Sequence, residues 1–516
     1  MVRRILMLAL VLAALPLLAA CSEEEAPFDL VLADGRVIDP ESGLDAVRHI
    51  GIREGRIAAI SAAPLKGRET VDAAGLVVAP GFIDIHSHAQ TVPSNWLQAF
   101  DGVTTALELE AGTLPVAATY DQVAREGRPL NFGFSVNWAI ARQAVLSGAT
   151  PRGTQGYVAD FGRPGWQDLA SAEQSAAVLA LVEQGLKEGA LGIGLLTGYA
   201  PASNRTEYYE AGRLAAQYGV PTFTHIRTRS IREPNGAIEG FQEVIAVAAG
   251  TGAHMHICHL NSSALREVDR IAGMIAGAQR QGLRVTTEGY PWGAGSTTIG
   301  APFLRPENLP NLDIGPSDIE YVATGERPAT AERLAEIRAA DPGGISIIHY
   351  LNEGLAADRD LLARALLVPG GIFASDAVPL TVAGRVLTDE VWPLPANAIA
   401  HPRLAGTYTR ILGTWVREEG RLDLMEAIRR SALLPALLLE EAAPQMKTKG
   451  RIALGADADI VVFDAATVAA MADYDNPAAP ATGMKFVIVN GAFVIRDGAL
   501  LPDARPGRAV RGPGRG

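Results

Sequence analysis

Short apolar segments alternate with longer mixed segments through the middle of this chain, and this alternation is its strongest constraint on the fold. The longer segments include SAEQSAAVLALVEQGLKEG and EVDRIAGMIAGAQRQG, which have the length and composition of helices. Strands that alternate with helices form a parallel sheet, and eight such units predict an α/β fold, a (β/α)8 TIM barrel with insertions. The predicted strands are Gly81–His86, Val103–Glu110, Asn131–Asn137, Ala190–Leu196, Val220–His225, Ala253–His259, Arg284–Glu288 and Gly371–Asp376.

The two ends of the chain share a different pattern, in which short β segments are interrupted by glycine and aspartate. FDLVLADGRVIDP near the start and GRIALGADADIVVFD near the end are examples, and turn residues of this kind bound strands. We predict one small composite β-sandwich built from residues 28–80 and 447–500, around a barrel domain of residues 81–446. The final ARPGRAVRGPGRG is predicted to be a frayed tail, and residues 306–350 are predicted to form helices over the barrel mouth.

Residues 1–20 predict a signal peptide. Arg3 and Arg4 precede an apolar run over residues 5–18, which is too short to cross a bilayer as a stable helix. The following LAAC, ending at Cys21, resembles the lipobox of bacterial lipoproteins, whose cysteine is acylated and becomes the first residue of the mature chain. An ordinary secretory signal with a chance cysteine is the alternative. We predict an exported lipoprotein tethered by its lipid, on the periplasmic side of an outer membrane if the host has one, since Ser22 follows the cysteine.

The charge and the cysteines limit the partners and the covalent links of the chain. The formal net charge of −12 becomes −14 when residues 1–20 and their two arginines are removed. An acidic protein argues against nucleic acid as a partner. We therefore expect a small-molecule substrate, with membrane contact only through the lipid. Cys21 and Cys258 are the two cysteines, so acylation of Cys21 excludes an intrachain disulfide.

Six of the eight predicted strands end in a residue that can bind a metal or transfer a proton. These residues are His86, Glu110, His225, His259, Glu288 and Asp376. Active sites of (β/α)8 barrels lie at the carboxyl ends of the strands, so all six side chains are expected at one mouth of the barrel. Their shared position predicts a metal centre more strongly than any single motif does.

The sequence His-Ser-His places two imidazoles on one face of a strand, because side chains two residues apart point the same way. His86 and His88 are therefore predicted metal ligands, and Asp84 is expected to share their face. His225 and His259 are each expected to add one nitrogen. Three neighbouring side chains are expected on the opposite face, toward the helix layer: His254, His256 and Cys258.

Asp376, at the end of GGIFASD, is predicted both to bind the metal and to accept a proton from a metal-activated water. Capping of the next helix is the structural alternative for this carboxylate. Nitrogen and carboxylate ligands together suit zinc, with manganese, iron and cobalt as alternatives.

Several motifs together resemble the amidohydrolase superfamily and, within it, the D-aminoacylase branch of N-acyl-D-amino-acid deacylases. They are GFIDIHSHAQ, THIR, ICHL, EGYPWGAGST, FASD, the HPR at residues 401–403 and GRIALGADADIVVFD. The H-x-H pattern marks the superfamily, and YPWGAGST with HPRLAGTYTRILG marks the branch. The resemblance extends from about Phe28 to Gly498 and implies a metal-dependent barrel enzyme with a composite β-sandwich.

The resemblance leaves open whether one or two metal ions are bound, because two ions need a bridging ligand. Many superfamily members use a carboxylated lysine, and none of the five lysines here ends a predicted barrel strand. D-aminoacylases instead resemble one another in a cysteine after the second strand, in a GITT…NCG-like run. The run GVTTALELEAG has Ala111 at that position. Its neighbour Glu110 is the predicted bridge, with Glu108 or a site without a bridge as alternatives.

The resemblance also implies catalytic roles. A metal-activated water attacks the amide carbonyl, and Asp376 passes its proton to the leaving amine. Tyr290 is expected to bind the substrate carboxylate or polarise the carbonyl, with Ser296 nearby, and Arg227 is a candidate anion ligand. Packing, capping and an ion pair are the respective structural alternatives for these three residues. Glu288 is expected to orient its loop.

The substrate implied is an N-acyl-D-amino acid or a related amide of a D-residue, such as a cell-wall fragment. The family often has a basic residue two positions after the last histidine ligand, where this chain has Asn261. Hydrolysis of a cyclic amide, as in dihydroorotases and hydantoinases, or of a D-residue dipeptide is the enzymatic alternative. A lipoprotein binding module on an inactive barrel is the non-enzymatic one, and the presence of all the predicted ligands argues against it.

Overall fold

The computed structural model describes residues 27–154 and 156–514, and its centre is a barrel of eight parallel strands. The strands follow one another around the barrel in chain order, and a parallel bridge between Ser87 and Ala377 joins the first strand to the end of the last. The predicted (β/α)8 fold is confirmed. The barrel strands are Phe82–Asp84, Val103–Thr113, Asn131–Asn137, Ile193–Leu196, Thr222–His225, Met255–Ile257, Val285–Gly289 and Ile372–Phe373.

Helices connect the strands and cover the outside of the barrel. The helix Ala172–Lys187 begins with a capping box: the Gln174 amide donates to the Ser171 hydroxyl, and the Ser171 amide donates to the Gln174 side chain. Such a box satisfies amide groups that the first helical turn leaves free. Within the described residues, no helix is long and apolar enough to span a membrane.

The described residues form α-helices, short 3-10 turns and two π-helical segments. The α-helices are Val92–Phe100, Val116–Glu126, Trp138–Ser147, Gly156–Ala159, Ala172–Lys187, Arg205–Tyr218, Ala237–Thr251, Leu260–Ala264, Val268–Arg280, Ala331–Ala340, Ala356–Leu366, Tyr408–Arg410, Leu424–Ile428 and Leu434–Leu439. Short 3-10 turns are Thr197–Tyr199, Leu265–Glu267, Pro302–Leu304, Pro306–Leu312, Pro316–Asp318, Pro402–Leu404 and Pro444–Thr448. Two π-helical segments are Ile411–Glu418 and Arg429–Leu433.

The last described residues of the chain fill one end of the barrel. Apolar side chains from different strands, among them Leu107 and Phe223, form an interior cluster that also contains Val510. The Val510 amide donates to the Phe132 carbonyl oxygen at 2.7 Å, and the Tyr120 hydroxyl donates to the Val510 carbonyl oxygen at 2.8 Å. The prediction of a frayed tail is therefore wrong at this point. Because Phe132 lies at the start of its strand, the tail fills the barrel at the amino ends of the strands.

Strands from the first and last parts of the described chain form one nine-stranded sheet outside the barrel, at the place predicted for the composite β-sandwich. Val77–Pro80 from the first part pairs antiparallel with Ile460–Phe463 from the last. The sheet buries its own apolar cluster, which includes Leu32, Ile50 and Ile488. Its strands are Phe28–Asp39, Leu44–Arg53, Arg56–Ser61, Gly67–Asp72, Val77–Pro80, Ile460–Phe463, Met484–Val489, Ala492–Arg496 and Ala499–Leu500.

The insertion after the seventh barrel strand differs from the predicted cover of helices. Ala294–Thr298 pairs antiparallel with Ile345–His349, which also pairs with Ile319–Tyr321. One α-helix, Ala331–Ala340, lies between two of these strands. Threonine and isoleucine are frequent in the paired segments, and β-branched side chains favour strands. A second small sheet contains Thr381–Val382, Arg385–Val386 and Ala398–Ile399.

A buried ion cluster joins the composite sheet to the barrel. The Lys449 ammonium nitrogen lies 2.5 Å from the Asp459 carboxylate and 3.1 Å from that of Asp457. Asp459 also accepts hydrogen bonds from the Asn131 side chain at 2.9 Å and from the Asn490 amide at 2.7 Å. Asn131 starts a barrel strand and Asn490 follows a strand of the sheet. The cluster therefore holds the two units in register.

The substitution Lys449→Met is expected to destabilise the protein by about 3–5 kcal/mol, because it leaves Asp457 and Asp459 buried without their counter-charge. Calorimetric measurement of the thermal unfolding midpoint checks this expectation. Lys447→Met is the matched control, since that lysine lies two residues away and is exposed. Equal midpoints for the two variants would contradict the role given to the ion cluster.

Candidate metal centre

Four histidines and one glutamate meet where the barrel strands end. The Nε2 atoms of His86 and His88 are 3.2 Å apart, and Nδ1 of His225 lies 3.1 Å from Nε2 of His259. Glu110 lies between the two pairs. Its Oε1 is 3.1 Å from His225 and 2.8 Å from His259, and its Oε2 is 3.4 Å from His86 and 3.6 Å from His88. One carboxylate thus contacts both histidine pairs.

The other ring nitrogen of each histidine in the His-Ser-His motif is held by a second carboxylate. Glu108 lies 2.8 Å from Nδ1 of His88, and Glu288 contacts Nδ1 of His86. A partner at one ring nitrogen fixes the tautomer and leaves the lone pair of the other nitrogen free for a metal. Glu108, an alternative bridge in the sequence analysis, therefore orients His88. Glu288, expected to orient its loop, holds His86 instead.

Asp376 lies beside the same histidine pair. Its Oδ1 is 3.4 Å from Nε2 of His86 and 3.5 Å from Nε2 of His88. The same oxygen lies 2.9 Å from Nη2 of Arg403. The next helical turn begins only at Pro402, so Asp376 does not act as a helix cap. The carboxylate is free to face the cluster.

The charges of this cluster favour a bound cation. Burial disfavours a charged imidazole, but the carboxylates of Asp376, Glu288 and Glu110 outweigh burial and raise the pKa of His86 well above its usual value. At His225 burial dominates and lowers the pKa to about 4, so this ring is neutral at neutral pH. The carboxylates that favour a proton on His86 would equally favour a divalent metal ion in its place. Together with neutral imidazoles such as His225, they form a donor set that suits zinc.

Two residues of the cluster have a backbone conformation that is rare outside glycine. The angle φ is +36° at His259 and +51° at Asp376. Each such residue costs on the order of 1–3 kcal/mol, and such residues are concentrated at functional sites. The turn at His259 directs its ring into the cluster, where the Ser263 hydroxyl lies 2.9 Å from Nδ1.

This turn explains why the predicted faces of the sixth barrel strand are wrong. His256 lies inside the barrel with Nε2 3.1 Å from Glu288, and Cys258 belongs to the interior apolar cluster. Neither faces the helix layer. The regular strand ends at Ile257, so the alternation of side chains does not extend to His259.

Asp84 does not lie on the same face as His86 and His88, so this prediction is also wrong. Its carboxylate accepts hydrogen bonds from the Gln98 side chain at 3.1 Å and from the Ser375 amide at 3.0 Å. The barrel strand ends at Asp84 itself, so the period of two fails here as well. Asp84 instead joins the first barrel strand to the last.

A cavity opens over the cluster, and Tyr290 and Ser296 line it together with the metal-ligand candidates. The hydroxyls of Tyr290 and Ser296 are buried and have no hydrogen-bond partner within the described chain. Burial raises the pKa of Tyr290 to about 12, so its hydroxyl is protonated at neutral pH and can donate. Buried hydroxyls without partners are unusual in folded proteins. Their position makes them available to a ligand in the cavity.

Arg227, a predicted anion ligand, does not line the cavity. Its guanidinium lies 2.9 Å from Glu243 and donates to the Ser203 hydroxyl at 2.7 Å, which corresponds to the ion-pair alternative. Arg229, two residues later, does line the cavity. Both arginines follow His225 in the sequence, and no local signal distinguishes them. The contact of Arg403 with Asp376 was likewise not predicted from the sequence, although the HPR motif at residues 401–403 is part of the family resemblance.

Known proteins with similar sequences support an assignment to a family. The profile of the amidohydrolase family matches residues 69–264 and 240–495. The N-acyl-D-glutamate deacylase of Alcaligenes xylosoxydans xylosoxydans is 31% identical over 511 residues, which cover 94% of this chain and 96% of the relative. The D-aminoacylase of the same organism is 28% identical over 505 residues, which cover 92% of this chain and 96% of the relative.

A solved structure extends this similarity to three dimensions. The N-acyl-D-glutamate deacylase of Bordetella bronchiseptica, in complex with zinc and a phosphonate inhibitor, superposes with a TM-score of 0.72. It is 26% identical, and the match covers 94% of this chain and 100% of that chain. The resemblance to the D-aminoacylase branch is confirmed, and the chain belongs to the amidohydrolase family.

Proposed function

We propose that this metal-dependent amidohydrolase removes the acyl group from N-acyl-D-amino acids or from closely related amides of D-residues. The observation that carries the proposal is the position of Glu110 between two histidine pairs at the base of a cavity, with Asp376 beside them. Similarity over 94% of the chain to an N-acyl-D-glutamate deacylase supports the substrate class. The bond broken is a carbon–nitrogen bond of an amide other than a peptide bond.

Zinc is the proposed metal, at one or two positions. The proposed ligands are His86, His88, Glu110, His225, His259 and Asp376, with Glu110 shared between the two positions. Imidazole nitrogens and carboxylate oxygens are the ligands that zinc takes in catalytic sites. When bound there, a divalent ion supplies Lewis-acid chemistry, which lowers the pKa of water and polarises a carbonyl group.

Asp376 is the proposed proton carrier of the reaction. Burial disfavours its charged form, but Arg403 and His86 outweigh burial and lower the pKa of this carboxyl. The group is therefore ionised at neutral pH and can accept a proton from the attacking water at Oδ1. It then delivers that proton to the nitrogen of the leaving amine. Arg403, which contacts the same oxygen, positions it for both transfers.

Tyr290 and Ser296 are proposed to bind the substrate through their hydroxyls. Each group lines the cavity and has no partner in the described chain, so each can donate to the carbonyl or carboxylate oxygen of a bound amide. Donors that are already in place stabilise the charge that develops on the carbonyl oxygen during attack.

Two alternatives have less support. Cyclic amide hydrolases usually carry a bridging lysine, and none of the five lysines of this chain lines the cavity: Lys66, Lys187, Lys447, Lys449 and Lys485. A binding module on an inactive barrel would not need to keep the whole set of proposed ligands together at the base of a cavity. Activity toward N-acyl-D-amino acids tests both alternatives.

We also propose that the mature protein is an exported lipoprotein held at the membrane by an acyl chain on Cys21. Residues 1–26 lie outside the described part of the structure, so the support comes from the sequence. A basic start, an apolar run over residues 5–18 and the LAAC ending at Cys21 are the signals. In this location the enzyme would meet amides of D-residues released in the cell envelope.

Wild-type protein without its lipid anchor is expected to contain two equivalents of zinc by elemental analysis, and Glu110→Ala one equivalent or fewer. The reason is that the substitution removes the ligand shared by the two positions. Glu173→Ala, at an exposed glutamate, is the matched control and should retain both ions. One equivalent in wild type and in Glu110→Ala would indicate a mononuclear site, with Glu110 outside it.

Wild-type enzyme is expected to hydrolyse N-acetyl-D-amino acids, and Asp376→Asn is expected to lower kcat by about 10²- to 10⁴-fold, the usual contribution of a proton carrier. Product amine release is the measurement, with metal content determined on the same samples. Asp389→Asn, at an exposed aspartate, should retain full activity. Unchanged kcat in Asp376→Asn would remove this residue from the mechanism, and an inactive wild type would remove the proposed function.

The full-length chain is expected to fractionate with membranes when expressed in a bacterial host, and Cys21→Ala is expected to lose acylation. Mass spectrometry of the mature N-terminus checks the lipid on Cys21. The lipobox assignment would be contradicted if the wild-type N-terminus carried no lipid and resulted from cleavage at another position.

A further inference from the structure

Seven arginine side chains are buried in the described part of the chain, and six of them pair with a carboxylate. The pairs are Arg128 with Glu126, Arg142 with Glu207, Arg227 with Glu243, Arg403 with Asp376, Arg430 with Glu426, and Arg451 with Glu440. Arg229 is the exception. No carboxylate oxygen of the described residues lies within 4.0 Å of its guanidinium nitrogens, although only 6% of this residue is exposed.

The contacts of Arg229 compensate its charge only in part. The guanidinium carbon lies 3.8 Å above the centre of the Phe303 ring, a cation–π contact. One nitrogen, Nη2, donates to the Tyr350 hydroxyl at 3.4 Å. The Nε–H group is buried and has no partner. An unpaired buried charge of this kind is costly for a fold, so we infer that its partner is an anion that binds in the cavity.

Arg229 lies where a substrate bound in the cavity could contact it. Arg229 lines the cavity over the metal-ligand candidates, and no other arginine or lysine of the described chain does so. The Phe303 ring that contacts Arg229 also stacks on His225, with 5.7 Å between ring centres and 15° between planes. An anion bound by Arg229 would therefore lie on the His225 side of the cavity.

Asn261 supplies no alternative cation at this site. It stands where the resembled family often has a basic residue, and its side chain donates to the Trp292 carbonyl oxygen at 3.4 Å. Its carbonyl oxygen accepts from the Tyr290 amide, also at 3.4 Å. The residue therefore supports the loop at Tyr290 and carries no charge.

We propose that Arg229 binds a carboxylate of the substrate and so determines its specificity. The inference rests on the proposed deacylase function. Two carboxylates share this chemistry: the one on the α-carbon that every N-acyl amino acid carries, and a second one on an acidic side chain. The experiment separates the two sources.

The variant Arg229→Met removes the charge and keeps an unbranched apolar stem against Phe303. Arg229→Lys keeps the charge but not the planar fork, and should recover part of the loss. Arg232→Met is the matched control, because it removes the same charge from an exposed position three residues later. Circular dichroism and the metal content of each variant show that the fold and the metal centre are intact.

Turnover of N-acetyl-D-leucine and N-acetyl-D-glutamate distinguishes the two carboxylates. If Arg229 binds the α-carboxylate, Arg229→Met lowers kcat/KM for both substrates by about 10- to 100-fold, the usual effect of losing a charged hydrogen bond. If it binds a side-chain carboxylate, only N-acetyl-D-glutamate shows this loss. In either case Arg232→Met behaves like wild type. An unchanged kcat/KM for both substrates in Arg229→Met overturns the proposal.

Calorimetric binding of the products D-leucine and D-glutamate gives a readout that does not require turnover. At least one of them is expected to bind wild type and Arg232→Met about 10-fold or more tightly than Arg229→Met. If wild type binds a product more tightly than Arg229→Met does but cleaves no substrate, the deacylase proposal fails and the anion site remains. If neither product binds wild type, or if both bind Arg229→Met equally well, the anion site is overturned.

Discussion

The carboxylate of Glu110 is the contact on which the rest of the site depends. It belongs to the second barrel strand and touches His225, which ends the fifth strand, and His86 and His259, which follow the first and sixth strands. A carboxylate that is 3% exposed needs compensating positive charge. Burial opposes its ionisation, but His86, His259 and His225 outweigh burial and hold the pKa of Glu110 well below its usual value. The same balance of charge makes the cluster a receptor for a cation.

Closure of the barrel brings the remaining ligand candidate, Asp376, beside His86 and His88. The first and last strands meet through the bridge between Ser87 and Ala377 and through the hydrogen bond from the Ser375 amide to Asp84. Asp376 lies between Ser375 and Ala377, just after the last strand, and its carboxylate lies 3.4 Å from His86. At the opposite end of the barrel Val510 fills the interior. The seam residues therefore position Asp376 without being metal-ligand candidates themselves.

The candidate metal ligands and much of the cavity wall come from different parts of the chain. The ligand candidates lie at or just after the carboxyl ends of barrel strands, whose positions the hydrogen bonds of the barrel determine. The cavity wall instead comes from connections and insertions: Ser296 from the strand Ala294–Thr298 in the insertion after the seventh barrel strand, Phe303 from a 3-10 turn and Arg229 from a loop. Such a division is general for barrels, in which loops vary the substrate while strand ends retain the reaction. An arginine without a carboxylate partner is a feature of this wall.

The sequence by itself determined the barrel, the composite sheet and the residues at the strand ends. Alternation of strands with helices and the chemical type of a strand-end residue are local properties, readable along the chain. Only the tertiary structure decided that Glu110 and not Glu108 lies between the histidine pairs, that Arg229 and not Arg227 lines the cavity, and that Val510 is buried. The physical reason is that regular alternation stops at the strand ends, where positive φ at His259 and Asp376 redirects side chains. Beyond that point, the partner of each side chain depends on contacts between residues far apart in the chain, and no local pattern encodes those contacts.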